Sequence, residues 1–240
     1  MSSGIVIIPT YNEIENIESI VRAVFSLEKT FHILIVDDNS PDGTAQKVTE
    51  LQTEFSEKLF LEVRKKKSGL GTAYVHGFKW ALKKNYEYIF EMDADFSHNP
   101  KDLERLHEAC INGADLSVGS RYVTGVNVVN WPLSRVLLSY FASVYVRMIT
   151  GMKIMDATAG FICYKKHVLE TINLDKIKFI GYAFQIEMKY RAFAKKFNIQ
   201  EVPVIFTDRT KGQSKMSGAI IKEAVFGVLS LRIKKFFNRL

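Results

Sequence analysis

Asp93 and Asp95, with Ala94 between them, close the apolar run from Tyr86 to Met92 in the stretch FEMDADFSHNP. A buried strand seldom ends on acids, because an ionised carboxylate taken out of water is costly unless something pairs with it. In an extended backbone, residues i and i+2 project to the same face. Both carboxylates would then enter one cleft at the strand tip, where they repel each other. A hard divalent cation, Mg2+ or Mn2+, removes that repulsion. Mg2+ takes one or two protein carboxylates and fills its remaining octahedral positions with water and phosphate oxygens. The pair therefore suits a metal shared with a phosphate-bearing ligand, although a bare D-x-D is common and its surroundings must carry the argument.

Cations at other points of the chain answer the acids. Arg121 lies in GSRY, Arg135 in WPLSR, and Arg209 and Lys215 in DRTKGQSK. The planar fork of arginine suits bidentate contact with phosphate. DRTKGQSK follows an apolar strand with charged and polar side chains and a glycine, and it reads as a flap over a phosphate-bearing ligand.

The elements that would position these residues alternate. Ile5 to Ile8 and Ile33 to Val36 are short continuous apolar runs, as expected of parallel strands covered on both faces. Between them Ile14, Ile17, Ile20, Val21, Val24 and Phe25 recur at helical spacing. Ser40-Pro41-Asp42 predicts a helix with a serine cap and proline in its first turn. Further strands are expected at Leu59 to Leu61, Tyr86 to Met92 and Asp115 to Val118, with helices at Gly69 to Lys84 and Leu103 to Cys110. The pattern predicts an α/β fold with an open, mostly parallel twisted sheet, built as one domain over 1–240. Later come an amphipathic stretch at Trp131 to Ile149, strand-like AGFICY and EVPVIF, and a helix at Gln185 to Phe197.

Ligands of such sheets bind beyond the carboxyl ends of the strands. Those ends carry Pro9-Thr10-Tyr11-Asn12-Glu13, Asp37 to Gly43, Asp93-Ala94-Asp95 and Gly119-Ser120-Arg121-Tyr122. The first turn lacks the G-x-G-x-x-G that lets backbone approach a pyrophosphate. A nucleotide bound here would need its diphosphate neutralised by metal and cations instead.

Composition narrows the classes. With 33 Lys and Arg against 26 Asp and Glu the formal charge is +7, which favours a polyanionic partner. Basic tracts without interleaved aromatics argue against nucleic acid; Lys65-Lys66-Lys67 reads as a solvated turn. Cys110 and Cys163 lie far apart in apolar surroundings and read as free thiols of a reducing compartment. No signal peptide is evident, and the apolar stretches Val126 to Ile149 and Ala219 to Phe237 are too interrupted to span a bilayer. A cytosolic protein is expected.

The motifs PTYNE, VDDNSPDGT, DADFSHNP, GSRY and the late DR-x4-SK, in this order from about Gly4 to Met216, resemble family 2 glycosyltransferases. More narrowly, the chain is similar to their dolichol-phosphate and polyprenol-phosphate mannose synthases without transmembrane helices. The resemblance implies a GT-A fold and transfer of mannose from GDP-mannose to a polyprenol or dolichol monophosphate, with inversion. It implies that Pro9, Tyr11, Glu13, Val36 and Asp38 line the guanosine pocket. Asp93, Ala94 and Asp95 would meet the sugar diphosphate, with Asp95 the principal ligand of Mg2+ or Mn2+. Arg121, Arg209 and Lys215 would hold phosphates, and Arg135, with Arg121 and Arg209, the acceptor phosphate. Ser97 stands where some relatives carry a metal-ligating glutamine, so the resemblance gives it no ligand role. UDP-glucose is the rival donor.

A lipid acceptor gives the amphipathic segments a use. About 131–149, and about 219–239 with Lys222, Arg232, Lys234, Lys235 and Arg239, would lie on a membrane surface, at its cytoplasmic face. Nothing in the sequence specifies or excludes a membrane subunit.

Overall fold

The computed structural model describes residues 3–181, 183–208 and 227–233. Arg209, Lys215 and most of the 219–239 segment lie outside the described residues.

A seven-stranded sheet forms the centre, in the order β3-β2-β1-β4-β7-β5-β8. Its strands are β1 (Gly4–Thr10), β2 (His32–Asp37), β3 (Leu59–Val63), β4 (Tyr88–Glu91), β5 (Leu116–Ser120), β7 (Ile162–Lys165) and β8 (Ile199–Pro203). Two short strands, β6 (Val128–Val129) and β9 (Phe206–Thr207), pair separately. The helices are α1 (Ile17–Phe25), α2 (Thr44–Gln52), α3 (Leu70–Lys83), α4 (Asp102–Ile111), α5 (Leu133–Thr150), α6 (Lys166–Thr171) and α7 (Ala183–Ala194).

The continuous apolar runs have a simple cause. Val6 and Ile8 of β1 pack with Ile33 and Ile35 of β2 beneath α1 and α4, whereas Ile5, Ile7, Leu34 and Val36 pack beneath α3 and α7. Alternate side chains feed opposite layers, and both layers are dry, so neither alternation nor polarity appears in the sequence. α3 lies close on the sheet: a Cβ at Gly77 would stand 2.6 Å from Ile7 Cγ2, which only glycine avoids.

One strand breaks the parallel order. β7 runs antiparallel to both β4 and β5 and separates them. Its entry therefore lies at the same edge as the carboxyl ends of the parallel strands. That reversal brings the segment before it, Asp156 to Phe161, to the edge where the sequence places the site.

The helix expected behind Ser40-Pro41 starts later, at Thr44. Ser40 instead donates its backbone N–H and hydroxyl to Asp37, at 2.8 and 2.6 Å. The carboxylate of Asp42, one residue before the cap position, closes the turn into the helix by accepting from Thr44 N–H at 3.0 Å. Gly43, at φ 90°, makes the turn between them.

Candidate active site

The loops after β1 and β2 are joined into one platform. Asn12 N–H donates to Ser40 Oγ, Glu13 N–H to Thr44 Oγ1 and Ile14 N–H to Asp42 Oδ2, each at 3.0 to 3.1 Å. Asp37 ties the base by also accepting from Thr10 Oγ1 at 2.8 Å. Pro9, Tyr11 and Glu13 are half-buried on this platform, and Asp38 is buried. The side chain of Val36 lies wholly in the core layer under α3. Arg64, just past β3, reaches Asp38 Oδ1 through Nε at 2.5 Å and holds Thr72 Oγ1 at 2.8 Å. The ammonium of Lys67 stands 4.3 Å from the centre of the Tyr11 ring. Neither cation was read as a site residue in the sequence: Lys67 falls in the Lys65-Lys66-Lys67 run that reads as a solvated turn, and Arg64 directly precedes that run.

β4 ends at Glu91, so the aspartates occupy the loop beyond the strand, Asp95 in a bend, and not the strand's extended tip. Their carboxylates differ in setting. Asp93 is half-buried on the wall of a cavity of about 380 Å³, with Tyr74 Oη at 3.5 Å. Asp95 is buried, and its Oδ1 accepts from both the N–H (3.0 Å) and the hydroxyl of Ser97. Ser97 thus orients Asp95. Among the described residues no three His, Cys, Asp or Glu side chains group closely enough to hold a metal by themselves. Two carboxylates at one strand end nevertheless fit a hard divalent ion that takes its other ligands from water and a diphosphate.

His98 completes this corner. It is buried, stacked on Phe161 with ring centres 4.8 Å apart, and its Nδ1 accepts from Asp93 N–H at 3.3 Å. That bond puts the ring proton on Nε2. Burial lowers its pKa to about 4 against the raising effect of Asp95, so the ring is neutral near pH 7.

The same cavity also has a cationic and aromatic lining. Arg121 is clamped by Asp156, Nε at 2.7 Å and Nη2 at 2.6 Å, with Thr158 Oγ1 at 2.8 Å from Nη2. Burial pushes the Asp156 carboxyl up, but the Arg121 charge and its hydrogen bonds outweigh this and leave it below the ordinary value. Arg121 also lies 5.4 Å from the centre of the Trp131 ring, and Arg135 lies 4.0 Å from it. Arg135 donates to Asp208 at 2.8 Å. Leu138, Phe141 and Tyr145 of α5 give the cavity an apolar side.

Behind the acid corner lies a buried polar layer. Gln185 of α7 donates to Glu91 Oε2 at 2.5 Å, and Lys189 donates to Ala159 O at 2.5 Å. Burial pushes Glu91 up to about 8 and Lys189 down to about 8.

Residues 5–172 match the glycosyl transferase family 2 model. The chain belongs to this family. Over 98% of its own length and 89% of the other's, this glycosyltransferase is 46% identical to the polyprenol monophosphomannose synthase of Mycolicibacterium smegmatis. The undecaprenyl-phosphate mannosyltransferase of Micrococcus luteus is 44% identical over 92% of this chain and 90% of that one. Among solved structures, the glucosyl-3-phosphoglycerate synthase of Mycobacterium tuberculosis, in complex with Mn2+ and UDP, superposes with a TM-score of 0.67. It covers 97% of this chain and 79% of that one at 15% identity, a likeness of fold: the transferase has the GT-A architecture expected of it.

The transferase gathers Asp93, Arg121 and Arg135 around one cavity, and sets Tyr11, Glu13 and Asp38 on the platform beyond β1 and β2. Asp156, His98, Gln185 and Arg64 were not read as site residues. Only the spacing of DADFSHNP, which puts His98 three residues after Asp95, offered a signal for any of them.

Proposed function

We propose that this glycosyltransferase moves mannose from GDP-mannose to a polyprenyl monophosphate, with inversion, at a membrane surface. The carrying observation is that one cavity is lined both by the Asp93 carboxylate and by the Arg121–Trp131–Arg135 cluster with α5. The first suits a sugar diphosphate with its metal, the second a phosphate bearing an apolar chain. The names of the relatives support mannose and polyprenyl phosphate for the two substrates.

Asp93 and Asp95 would hold Mg2+ or Mn2+, which when bound supplies charge neutralisation for the departing diphosphate. Pro9, Tyr11, Glu13, Asp38 and the backbone of Val36 would hold the nucleoside; Ala94 would border the diphosphate. Arg135 would orient the acceptor phosphate. Arg121, with two nitrogens committed to Asp156, would fix the wall on which Trp131 and Arg135 rest. Arg209 and Lys215, outside the described residues, would add phosphate contacts.

No strong base is required, because a phosphate monoester has its second pKa near ~6 and is mostly a dianion at neutral pH. His98 fits that scheme as a neutral ring whose Nδ1 is engaged by the backbone of Asp93, holding the acid corner in place. What remains for the protein is to bring two anions together in line and keep water out.

The lipid would approach over α5. Leu133, Leu137, Phe141 and Met148 fall on one side of this helix and are 71%, 46%, 60% and 72% exposed. Phe141 also lines the cavity, so the exposed strip runs into the site. No helix among the described residues is long and apolar enough to cross a membrane. The reading is peripheral attachment at the cytoplasmic face, with a phosphate head in the cavity and its chain along α5.

Calorimetry with GDP-mannose and UDP-glucose, each with Mg2+ or with a chelator, tests the donor half. The proposal expects GDP-mannose to bind more tightly and chelation to weaken it; tighter binding of UDP-glucose would replace the donor, and indifference to chelation would remove the metal.

A further inference from the structure

Gln185 stands in the first turn of α7, 2% exposed, on the wall of the cavity. Its amide is fixed from behind by the bond from Nε2 to Glu91 Oε2. The preceding residue, Phe184, stacks on Tyr74 with ring planes 4° apart, and Lys189, one turn on, ties α7 to Ala159 O. Gly160 faces the amide without a side chain; a Cβ there would stand 3.4 Å from Nε2. Gln185 Oε1, by contrast, has no hydrogen-bond partner. A buried carbonyl oxygen without a donor is a standing cost to the fold unless a ligand or water supplies the missing bond.

We propose that Gln185 reads the donor's sugar, its Oε1 accepting a hydrogen bond from one sugar hydroxyl while Glu91 holds the amide in register. The inference rests on the reading of the cavity as a nucleotide-sugar site. It follows from the chemistry of the groups that meet there. A diphosphate and a phosphate dianion offer acceptors, which an amide oxygen repels; with the nucleoside and its donors assigned to the platform beyond β1 and β2, outside this cavity, the hydroxyls of the sugar are the donors left. A site that presents a buried acceptor discriminates against a ligand lacking the matching hydroxyl far better than an apolar wall does. Gln185 is thus a specificity-determining residue, and the bond it makes is absent when nucleoside diphosphate binds without sugar.

The experiment compares the wild-type chain and its Gln185→Met variant in calorimetric titrations with GDP and GDP-mannose at saturating Mg2+. The expected result is a loss of about tenfold in affinity for GDP-mannose and an unchanged affinity for GDP, the size of one hydrogen bond. Weakening of both ligands together would assign Gln185 to structure or to an ordered water and overturn the proposal, as would no change in either. A series of GDP-mannose analogues lacking one hydroxyl each gives a test on the wild-type chain that needs no variant. One of them should bind about tenfold more weakly, and equal affinity across the series would overturn the inference. A wild-type chain that ignores GDP-mannose but binds UDP-glucose overturns the donor assignment alone, and the same comparison is then made with UDP and UDP-glucose.

Discussion

Arg121 and Asp156, 35 residues apart, are joined by Nε and Nη2 of the guanidinium and by the Arg121 backbone N–H, all at 3.0 Å or less and all buried. Removing one partner strands a charge in the core. Asp156→Ala should therefore lower stability by about 3–5 kcal/mol, measured by urea unfolding. The pair also sets an acid limit. The Asp156 carboxyl lies below its ordinary 3.8 in the folded chain, so the folded state binds this proton less readily than the unfolded one. Its stabilisation is present above about pH 4 and drains as pH falls through the lowered value. Asp156→Asn should flatten that part of the acid unfolding curve.

Asp95 does two things, and a careful substitution separates them. Its Oδ1 holds the turn at Ser97 through two hydrogen bonds, while its charge is proposed to bind metal. Asp95→Asn keeps an acceptor oxygen for the turn and removes the charge. Transfer should fall by about 100-fold or more with the thermal midpoint nearly unchanged. Asp95→Ala would lose the turn as well and mix the two effects.

Arg135 lies over the Trp131 ring, 4.0 Å from its centre, and pairs with Asp208. Lysine would keep the charge and lose both the stack and the planar fork. Arg135→Lys should raise KM for the lipid phosphate by about tenfold, roughly the 1–2 kcal/mol of a stacked, charge-assisted contact. KM for the sugar donor should stay near the wild-type value. Steady-state kinetics with each substrate varied in turn checks the split.

Leu133 and Met148, at opposite ends of α5, are among its most exposed apolar side chains and do not line the cavity. Replacing both with Glu should cut binding to vesicles containing anionic lipid by about tenfold or more, since apolar insertion and charge attraction both suffer. The thermal midpoint should move little, because neither side chain is packed. Vesicle flotation beside a melting curve measures both.

Much of the fold was legible because its parallel half is locally consistent. The runs Ile5 to Ile8 and Ile33 to Val36 have the length and continuous apolarity of strands buried on both faces, and the helical spacing between them supplies the connection of a strand–helix–strand unit. The acid pair and GSRY were legible as well, since strand ends in such a sheet are where ligands bind. Asp156 was not, because its meaning depends on the reversed strand β7, which is buried as fully as its parallel neighbours and so carries the same apolar composition. Ser40-Pro41 shows the opposite failure: a valid capping signal was overridden by the stronger claim of Asp37 on Ser40. Gln185 reads as one more polar residue of a helix, because nothing in the sequence marks α7 as buried on every side from Ala183 to Ala192.

The central claim is tested by incubating the purified chain with radiolabelled GDP-mannose, Mg2+ and polyprenyl monophosphate, then counting label that partitions into the organic phase. The account predicts organic-soluble mannose that disappears with a chelator and in Asp95→Asn. Label appearing from UDP-glucose alone, or from neither donor, would contradict it.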